Sequence, residues 1–277
     1  MSTGEGKPMS GSITIVNGND RPNVIAARPG ERLFANGFGG NDTITGGRFN
    51  DTLNGGNGND SLAGQAGNDL LDGGNGNDSV DTGAGNDVVQ GGNGDDTIGG
   101  MAGRDTIFAG DGNDRVVWND PTGDLVEGGN GADFLRGGDT AADTIRGGNG
   151  NDTIQAVANA QGRDHAADIL EGGNGNDSIV GGNAADTITG GRGNDTLTGS
   201  GGADRFVFRR GDGVDIITDF NPRQDVIVIS GFGGGFAPTS RLSQAGGNAV
   251  VDLGGGDRIL LAGQPETGIG ASAFTTT

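Results

Sequence analysis

Apolar residues return at a fixed interval along most of this chain. Residues 55–63 read Gly-Gly-Asn-Gly-Asn-Asp-Ser-Leu-Ala, and the pattern Gly-Gly-x-Gly-x-Asp-x-apolar-x repeats every nine residues without a break over residues 37–117. One apolar residue between small or β-branched neighbours predicts a very short strand with a single inward side chain. The glycine-rich residues before it predict a turn, because glycine adopts positive φ without steric cost.

Eighteen such units cover residues 37–207. Three of them are irregular: units 118–127 and 137–146 carry one extra residue, and unit 156–171 carries seven. The eighth position is always apolar, and the sixth is always Asp, including Asp124 in the first irregular unit. A disordered linker rich in Gly, Asn and Asp would not keep two residue types in phase over so many units.

The true period of the pattern is two units. The seven units that match without a substitution begin at residues 55, 73, 91, 128, 147, 172 and 190, and all are odd-numbered from residue 37. All three insertions fall in even-numbered units. Two units per coil predict a flattened all-β solenoid of 18 residues per coil, with one regular edge and one edge that tolerates loops.

Composition limits what such a chain can do. Glycine supplies 63 of 277 residues and only 31% are hydrophobic, which excludes a thick globular core. A net charge of -20 argues against nucleic acid or an anionic membrane as a partner and favours cations. No cysteine is present, and no apolar run is long enough for a membrane span or a conventional signal peptide.

The repeated aspartates form a ladder of like charges. Strands in adjacent coils lie about 4.8 Å apart, and at an effective dielectric constant near 20 two carboxylates at that separation repel by about 3.5 kcal/mol. Cations between the coils would relieve this repulsion. Carboxylate and carbonyl oxygens favour Ca²⁺ over Zn²⁺, and Mg²⁺ is disfavoured because it tolerates irregular carbonyl cages poorly.

The nonapeptide resembles the RTX (repeats-in-toxin) calcium-binding repeat. That resemblance implies a parallel β-roll in which carbonyls of the first four turn positions and the sixth-position Asp bind Ca²⁺ between successive coils on one edge. Carried onto this chain, the implied aspartate ligands are Asp42, Asp51, Asp60, Asp69, Asp78, Asp87, Asp96, Asp105, Asp114, Asp133, Asp143, Asp152, Asp168, Asp177, Asp186, Asp195 and Asp204. The implied turn ligands are Gly55, Gly56, Asn57, Gly58, Gly73, Gly74, Asn75, Gly76, Gly91, Gly92, Asn93, Gly94, Gly172, Gly173, Asn174, Gly175, Gly190, Gly191, Arg192 and Gly193.

The ends of the chain depart from the repeat. Residues 1–36 are an irregular lead-in, interpreted as an N-terminal cap. The tail segments Gly-Ala-Asp-Arg-Phe-Val-Phe (202–208), Asp-Ile-Ile-Thr-Asp-Phe (215–220) and Asp-Val-Ile-Val-Ile (225–229) resemble the C-terminal end of serralysin-type β-rolls. In those rolls antiparallel strands close the roll and the last residues carry an uncleaved type I secretion signal. The repeat pattern and this resemblance together predict three parts (1–36, 37–207 and 208–277). The resemblance also implies export by a type I secretion apparatus and an extracellular protein.

Catalytic motifs are not found in the sequence. His165 is the sole histidine, so no His-Glu-x-x-His zinc motif exists, and no Gly-x-Ser-x-Gly elbow or thiol nucleophile occurs. His165 lies near Asp164 and Asp168, but a plain loop histidine is the simpler interpretation. The acidic pairs are accounted for by the ladder. We therefore expect a non-enzymatic, monomeric calcium-binding protein that is largely unfolded without metal and acts as an extracellular or adhesion module.

One alternative concerns the third and fifth positions of the odd units. They form a double file of polar residues: Asn57/Asn59, Asn75/Asn77, Asn93/Asp95, Asp111/Asn113, Asn149/Asn151 and Asn174/Asn176. This file could bind a cell-surface, glycan or ice ligand, since it resembles the arrays of RTX-type antifreeze adhesins, which carry Thr instead. The simpler interpretation is that Asn suits tight turns.

Overall fold

The computed structural model describes residues 12–100, 102–118, 120–137, 141–156, 166–232 and 236–277. Its first strands are β1 (Ser12–Asp20), β2 (Val24–Ala26), β3 (Glu31–Gly39), β4 (Thr43–Thr45), β5 (Thr52–Asn57), β6 (Ser61–Ala63), β7 (Leu70–Asn75), β8 (Ser79–Asp81), β9 (Val88–Asn93), β10 (Thr97–Gly100), β11 (Thr106–Asp111), β12 (Arg115–Trp118), β13 (Leu125–Asn130) and β14 (Phe134–Gly137). The later strands are β15 (Thr144–Asn149), β16 (Thr153–Ala156), β17 (Ile169–Asn174), β18 (Ser178–Val180), β19 (Thr187–Arg192), β20 (Thr196–Thr198), β21 (Arg205–Arg209), β22 (Val214–Ile217), β23 (Val226–Ser230), β24 (Leu242–Ala245), β25 (Asn248–Gly254), β26 (Asp257–Leu261) and β27 (Phe274–Thr276). Three short 3-10 helices lie at Pro238–Arg241, Glu266–Gly268 and Ala271–Ala273.

The strands form two sheets that face each other across a thin core. The odd-numbered strands from β1 to β23, with β27, make a 13-stranded sheet. The even-numbered strands from β2 to β22, followed by β26, β25 and β24, make a 14-stranded sheet. Pairing is parallel except at β24–β25 and β25–β26. In regular coils a residue pairs with the one 18 positions later, as Thr52 does with Leu70. The predicted parallel β-solenoid is therefore confirmed.

One apolar side chain per unit fills the space between the sheets. The eighth position is buried in all eighteen units: Ile44, Leu53, Leu62, Leu71, Val80, Val89, Ile98, Ile107, Val116, Val126, Leu135, Ile145, Ile154, Leu170, Ile179, Ile188, Leu197 and Phe206. Each such side chain contributes about 2 kcal/mol of burial free energy. Burial of these positions confirms the predicted inward direction, because alternate residues of a strand point to opposite faces.

The turns form the two edges of the solenoid. We call the turns at positions 1–6 of the odd units the odd rim and those of the even units the even rim. Residues 55–60 of the odd rim lead from β5 to β6, and residues 64–69 of the even rim lead from β6 to β7. The longest insertion lengthens one coil to 25 residues between Asp143 and Asp168. His165 lies in this insertion, outside the described residues.

Both sheets continue beyond the repeats. Strands β1 and β2 extend them at the N-terminal end, and β21, β22 and β23 extend them at the other. Phe206 packs edge-to-face on Phe220 at the C-terminal end, with ring centroids 6.2 Å apart. The three-part division of the chain stays a prediction. Among the described residues, no helix has the length and hydrophobicity to cross a membrane.

Candidate metal centre

The sixth-position aspartates form two continuous hydrogen-bonded ladders. On the odd rim the backbone N–H of Asp42 donates to Oδ1 of Asp60 at 2.6 Å, and that of Asp60 donates to Oδ1 of Asp78 at 2.7 Å. The same bond links Asp51 to Asp69 on the even rim. All seventeen predicted aspartate ligands are buried. Each ladder bond fixes one carboxylate oxygen and so determines where the other points.

On the odd rim that second oxygen has no donor. Oδ2 is buried without a hydrogen-bond partner in Asp42, Asp60, Asp78, Asp96, Asp114, Asp133, Asp152, Asp177 and Asp195, which are all nine odd-unit aspartates of the eighteen repeats. An ionised carboxylate only accepts hydrogen bonds, and leaving a buried charged acceptor unpaired is costly. A row of such oxygens is what a series of cations would require.

The first-position glycine leaves a hollow beside each free oxygen. A methyl group on Gly55 would lie 2.3 Å from Oδ2 of Asp60 and 2.7 Å from the carbonyl oxygen of Gly73 in the next coil. A carboxylate oxygen and a carbonyl oxygen from two coils therefore converge on one space. The carbonyl oxygen of Gly58 likewise lies 2.1 Å from the methyl position of Gly76. Backbone oxygens thus line the gap between coils, as the predicted glycine ligands require.

The backbone carbonyl at the third turn position accepts a hydrogen bond from a turn N–H. Gly58 donates its N–H to the carbonyl of Asn75, and Gly76 donates to that of Asn93, both at 2.7 Å. The carbonyls of Asn174 and Arg192 accept the same bond. Each of these carbonyls keeps one lone pair, which is the capacity left to the predicted third-position ligands.

On the even rim, some of the second carboxylate oxygens do accept a hydrogen bond. Oδ2 of Asp51 accepts the N–H of Gly47 at 2.6 Å, and Oδ2 of Asp186 accepts that of Gly182 at 2.7 Å. Among the even-rim aspartates of the described residues, Oδ2 is buried without a partner only in Asp69 and Asp87. The sequence predicted an aspartate ladder on each rim, with one rim more regular than the other, but not this difference between their carboxylate oxygens, because it depends on where turn N–H groups point.

Side chains also fill the hollow on the even rim. The ring of Trp118 lies 2.8 Å from the methyl position of Gly137, beside Oδ2 of Asp143. Trp118 is 4% exposed, so it packs and does not mark a surface contact. Thr82 is fully buried at a first position, and its hydroxyl donates to Oδ2 of Asp105 at 3.4 Å. Such residues occupy space that glycine leaves open on the odd rim.

Burial and mutual repulsion raise the pKa values of several ladder carboxyl groups. Desolvation raises the pKa of Asp133 to about 7, and the neighbouring carboxylates of Asp152 and Asp114 contribute to the same increase. Desolvation likewise raises the pKa values of Asp96 and Asp177 to about 7. Protons and cations therefore compete for the same oxygens near neutral pH.

Two rungs lie beyond the residues singled out from the sequence. The N–H of Asp195 donates to Oδ1 of Asp215 at 3.0 Å, and that of Asp204 donates to Oδ1 of Asp225 at 3.1 Å. Both residues stand in an Asp-x-apolar phrase, Asp-Ile-Ile and Asp-Val-Ile, which is the signal that could have found them. The ladders thus run into the cap.

The donor set suits calcium. Among the described residues, no group of three or more His, Cys, Asp or Glu side chains gathers around one point. A cation on the odd rim would therefore complete its shell with backbone carbonyls from two coils. An all-oxygen shell of carboxylates and carbonyls, in an adaptable arrangement, is the chemistry that Ca²⁺ prefers.

The asparagines at the third and fifth positions of the odd units form hydrogen bonds between adjacent coils. At the fifth position the N–H of Asn77 donates to Oδ1 of Asn59 at 3.0 Å. At the third position Nδ2 of Asn75 donates to Oδ1 of Asn57 at 2.9 Å, and the stack continues to Asn93. These amides link successive coils, which is a structural reason for Asn at both positions.

No curated protein matches the chain. Among solved structures, the extracellular lipase LipA from Serratia marcescens is 20% identical with a TM-score of 0.40, over 72% of this chain and 40% of the lipase. The AlgE6R3 subunit of the mannuronan C5-epimerase from Azotobacter vinelandii is 24% identical with a TM-score of 0.34, over 53% of this chain and 78% of that subunit. This chain therefore spans less than half the length of the lipase.

The family comparison is more extensive. A model of the RTX calcium-binding nonapeptide repeat matches residues 36–71, 54–89, 72–107, 90–117, 119–154, 166–197 and 180–215, well over half of the chain. Repeats of this kind bind multiple Ca²⁺ ions, and proteins that carry them are typically secreted. The chain belongs to the RTX calcium-binding nonapeptide repeat family.

Proposed function

We propose that this chain is a secreted protein that folds when it binds calcium outside the cell, with its calcium ions held mainly along the odd rim. The observation that carries this proposal is the run of nine odd-unit aspartates whose Oδ2 is buried without a donor. On the even rim, turn N–H groups or a hydroxyl occupy the corresponding oxygens of Asp51, Asp105 and Asp186. Occupied sites on that rim are expected at Asp69 and Asp87.

Calcium supplies positive charge between coils whose carboxylates otherwise repel one another. The residues of the chain do the rest: the ladder N–H groups orient each carboxylate, and the first-position glycines keep the hollow open. Because the ligands of one ion come from two coils, a formed site requires a rolled chain, and binding free energy becomes folding free energy. Low calcium in the cytosol would then keep the chain unfolded until export.

Trp118 provides a direct test of calcium-coupled folding. It is the single tryptophan of the chain and is 4% exposed. We expect red-shifted indole emission and a largely disordered circular dichroism spectrum in chelator, and a blue shift with gain of β-structure in millimolar Ca²⁺. Millimolar Mg²⁺ is the matched ion control and should have little effect. A metal-free chain that is already folded at neutral pH would overturn the coupling.

We propose type I secretion as the route of export and a non-catalytic extracellular or adhesion module as the role. Deleting the last ~60 residues and measuring protein in the medium tests the route, because the resemblance to serralysin-type rolls implies a C-terminal signal. Continued export of the truncated chain would require another exporter. The role of the asparagine files as a glycan or ice surface stays a prediction, and their coil-to-coil bonds support a structural role instead.

A further inference from the structure

Six turns of the odd rim carry an asparagine at the third position with a glycine directly after it. The six pairs are Asn57–Gly58, Asn75–Gly76, Asn93–Gly94, Asn130–Gly131, Asn149–Gly150 and Asn174–Gly175. Each asparagine is exposed and is the last residue of its strand. In an unfolded chain, the residue after an asparagine controls how fast its side-chain amide is lost, and glycine hinders the reaction least because it has no Cβ. These pairs are therefore the most reactive amides of the unfolded chain.

The reaction needs only the chain and one water molecule. The backbone nitrogen of the glycine attacks Cγ of the asparagine, so that an N–Cγ bond forms and the Cγ–Nδ2 bond breaks. The amide nitrogen leaves as ammonia and takes with it the proton from the glycine N–H. Water then opens the resulting five-membered imide at one of its two carbonyls. The product is either aspartate or isoaspartate, in which the main chain runs through Cβ and Cγ.

The roll withdraws the attacking nitrogen. In all six pairs the glycine N–H donates to the carbonyl of the third-position residue in the next coil at 2.7 Å, as Gly131 does to Asn149. The same glycines have φ between 121° and 134°, and their Cβ positions lie 1.7–2.2 Å from a carbonyl oxygen of the preceding coil. Closing the imide requires rotation about the Cα–C bond of the asparagine, away from the strand conformation. That rotation breaks the bond between coils.

The asparagine side chains are held as well. Nδ2 of Asn75 donates to Oδ1 of Asn57 at 2.9 Å, and Nδ2 of Asn93 donates to Oδ1 of Asn75 at 2.6 Å. Further along the rim, Nδ2 of Asn174 donates to Oδ1 of Asn149 at 2.7 Å. Each amide plane is thus fixed by the coils on either side, and Cγ cannot turn towards its own backbone. Solvent reaches these side chains, but the rolled backbone closes the reaction.

The products fit the roll poorly. An aspartate at position 75 would have no hydrogen to donate to Oδ1 of Asn57, so two acceptors would face each other. Isoaspartate has the larger effect, because it adds one atom to the main chain of the turn. Adjacent coils bond to each other at a fixed spacing of 18 residues here, as the ladder bond from Asp60 to Asp78 shows. A longer backbone in one turn disrupts this register.

We propose that the six Asn–Gly pairs are sites of spontaneous deamidation that the roll closes and the metal-free chain opens. Time spent without calcium then irreversibly lowers the fraction of chains that can roll. The inference rests on the proposed calcium-coupled folding, which supplies the unfolded state in which the reaction runs. It adds a chemical limit to how long the chain can stay unfolded.

The test incubates the full chain at mildly alkaline pH in chelator and, in parallel, in millimolar Ca²⁺. Mass spectrometry of peptides locates deamidation and isoaspartate, and circular dichroism after addition of Ca²⁺ measures the fraction that rolls. The test variant carries glutamine at the six third positions, since glutamine would have to close a larger ring: Asn57→Gln, Asn75→Gln, Asn93→Gln, Asn130→Gln, Asn149→Gln and Asn174→Gln. The matched control carries six glutamines at fifth positions, where an aspartate follows each asparagine: Asn41→Gln, Asn59→Gln, Asn77→Gln, Asn113→Gln, Asn151→Gln and Asn176→Gln.

We expect deamidation in chelator to concentrate at the six third positions. In Ca²⁺ it should be at least about tenfold slower, which corresponds to about 1.4 kcal/mol of opening free energy. After incubation in chelator, the wild type and the fifth-position control should lose rolling capacity, whereas the third-position variant should keep it.

Equal deamidation rates in chelator and in Ca²⁺, in a wild-type chain that rolls only with Ca²⁺, overturn the inference. Wild-type chains that roll fully after deamidation also overturn it, and both results are obtained without the variants. A fresh wild-type chain that is already rolled in chelator overturns the proposed function instead. Circular dichroism at the start of the incubation identifies that failure, and the peptide map identifies the other.

Discussion

Without calcium, the stability of the roll should fall as the pH rises, whereas the calcium-loaded roll should lose stability as the pH falls. Consider Asp133, whose pKa burial and neighbouring carboxylates raise from 3.8 to about 7. Raising a pKa by one corresponds to about 1.4 kcal/mol of free energy, so ionising this group in a metal-free roll at pH 7 costs about 4 kcal/mol before screening by solvent at the rim. Taking half of that value for screening leaves about 2 kcal/mol.

Several carboxylates share this cost. Burial raises the pKa values of Asp69, Asp96, Asp177 and Asp204 to about 7 as well. Five such groups at about 2 kcal/mol each rival the ~5–15 kcal/mol of net stability that a folded domain has. A metal-free roll with its ladder ionised is therefore not expected to persist at neutral pH.

The sign follows from proton linkage. The rolled metal-free chain binds more protons than the unfolded chain between about pH 4 and pH 7, because the pKa values of these five carboxyl groups are higher in the roll than in the unfolded chain. Its stability is therefore highest below the unfolded pKa of 3.8 and is lost as the pH rises through about 7. Metal-stripped protein should be disordered at pH 7.5 and gain β-structure as the pH falls towards 4.5. In millimolar Ca²⁺ the roll should instead lose ions and β-structure on acidification, since protons displace the metal.

Far-UV circular dichroism of the two titrations, with sedimentation to exclude aggregation near the isoelectric point of about 4.1, measures both curves. Isothermal titration calorimetry in buffers of different ionisation enthalpy gives an independent readout. Calcium-coupled folding at pH 7 should release few protons, because unfolded aspartates are already ionised. A metal-free chain that is rolled at pH 7.5, or a release approaching one proton per ladder aspartate, would refute the reasoning.

Two further pairs of substitutions test the site and the backbone. Asp133→Asn should lower the number of calcium ions bound on the odd rim and raise the calcium midpoint of folding, because its Oδ2 has no donor in the roll. Asp51→Asn should keep the ion count and lower the free energy of unfolding by about 1–3 kcal/mol, because it disturbs a buried acceptor that already has a donor. Calcium counting with denaturant titration separates the two variants, and equal ion loss from both would contradict the difference between the rims. Gly74→Ala should destabilise the loaded roll by more than about 2 kcal/mol, since its φ is 103° and its methyl group would lie 2.2 Å from the carbonyl oxygen of Gly56. Gly99→Ala, whose nearest contact would be 3.7 Å away, should be tolerated or stabilise slightly, and equal losses for the two alanines would argue against a strained odd turn.

The asparagine positions show how far sequence reasoning reached and where it stopped. The pattern placed Asn59 and Asn77 correctly on one edge at coil spacing, but their chemistry stayed open between a ligand surface and a turn preference. The bond from the N–H of Asn77 to Oδ1 of Asn59 supplies a structural reason that no pattern contains. Trp118 is similar: it begins an irregular unit, and only packing against Gly137 and Asp143 places it inside the rim.

The sequence by itself determined the coil, since a period of nine with an apolar eighth position leaves one way to bury eighteen side chains such as Leu62 and Val80 between two sheets. It also determined the carboxylate ladder, because the spacing of Asp60 and Asp78 equals one coil. Only the tertiary structure decided which carboxylate oxygens are left without a donor. That depends on whether a neighbouring N–H, hydroxyl or ring reaches them across coils, and such contacts involve residues far apart in the chain that no local repeat encodes.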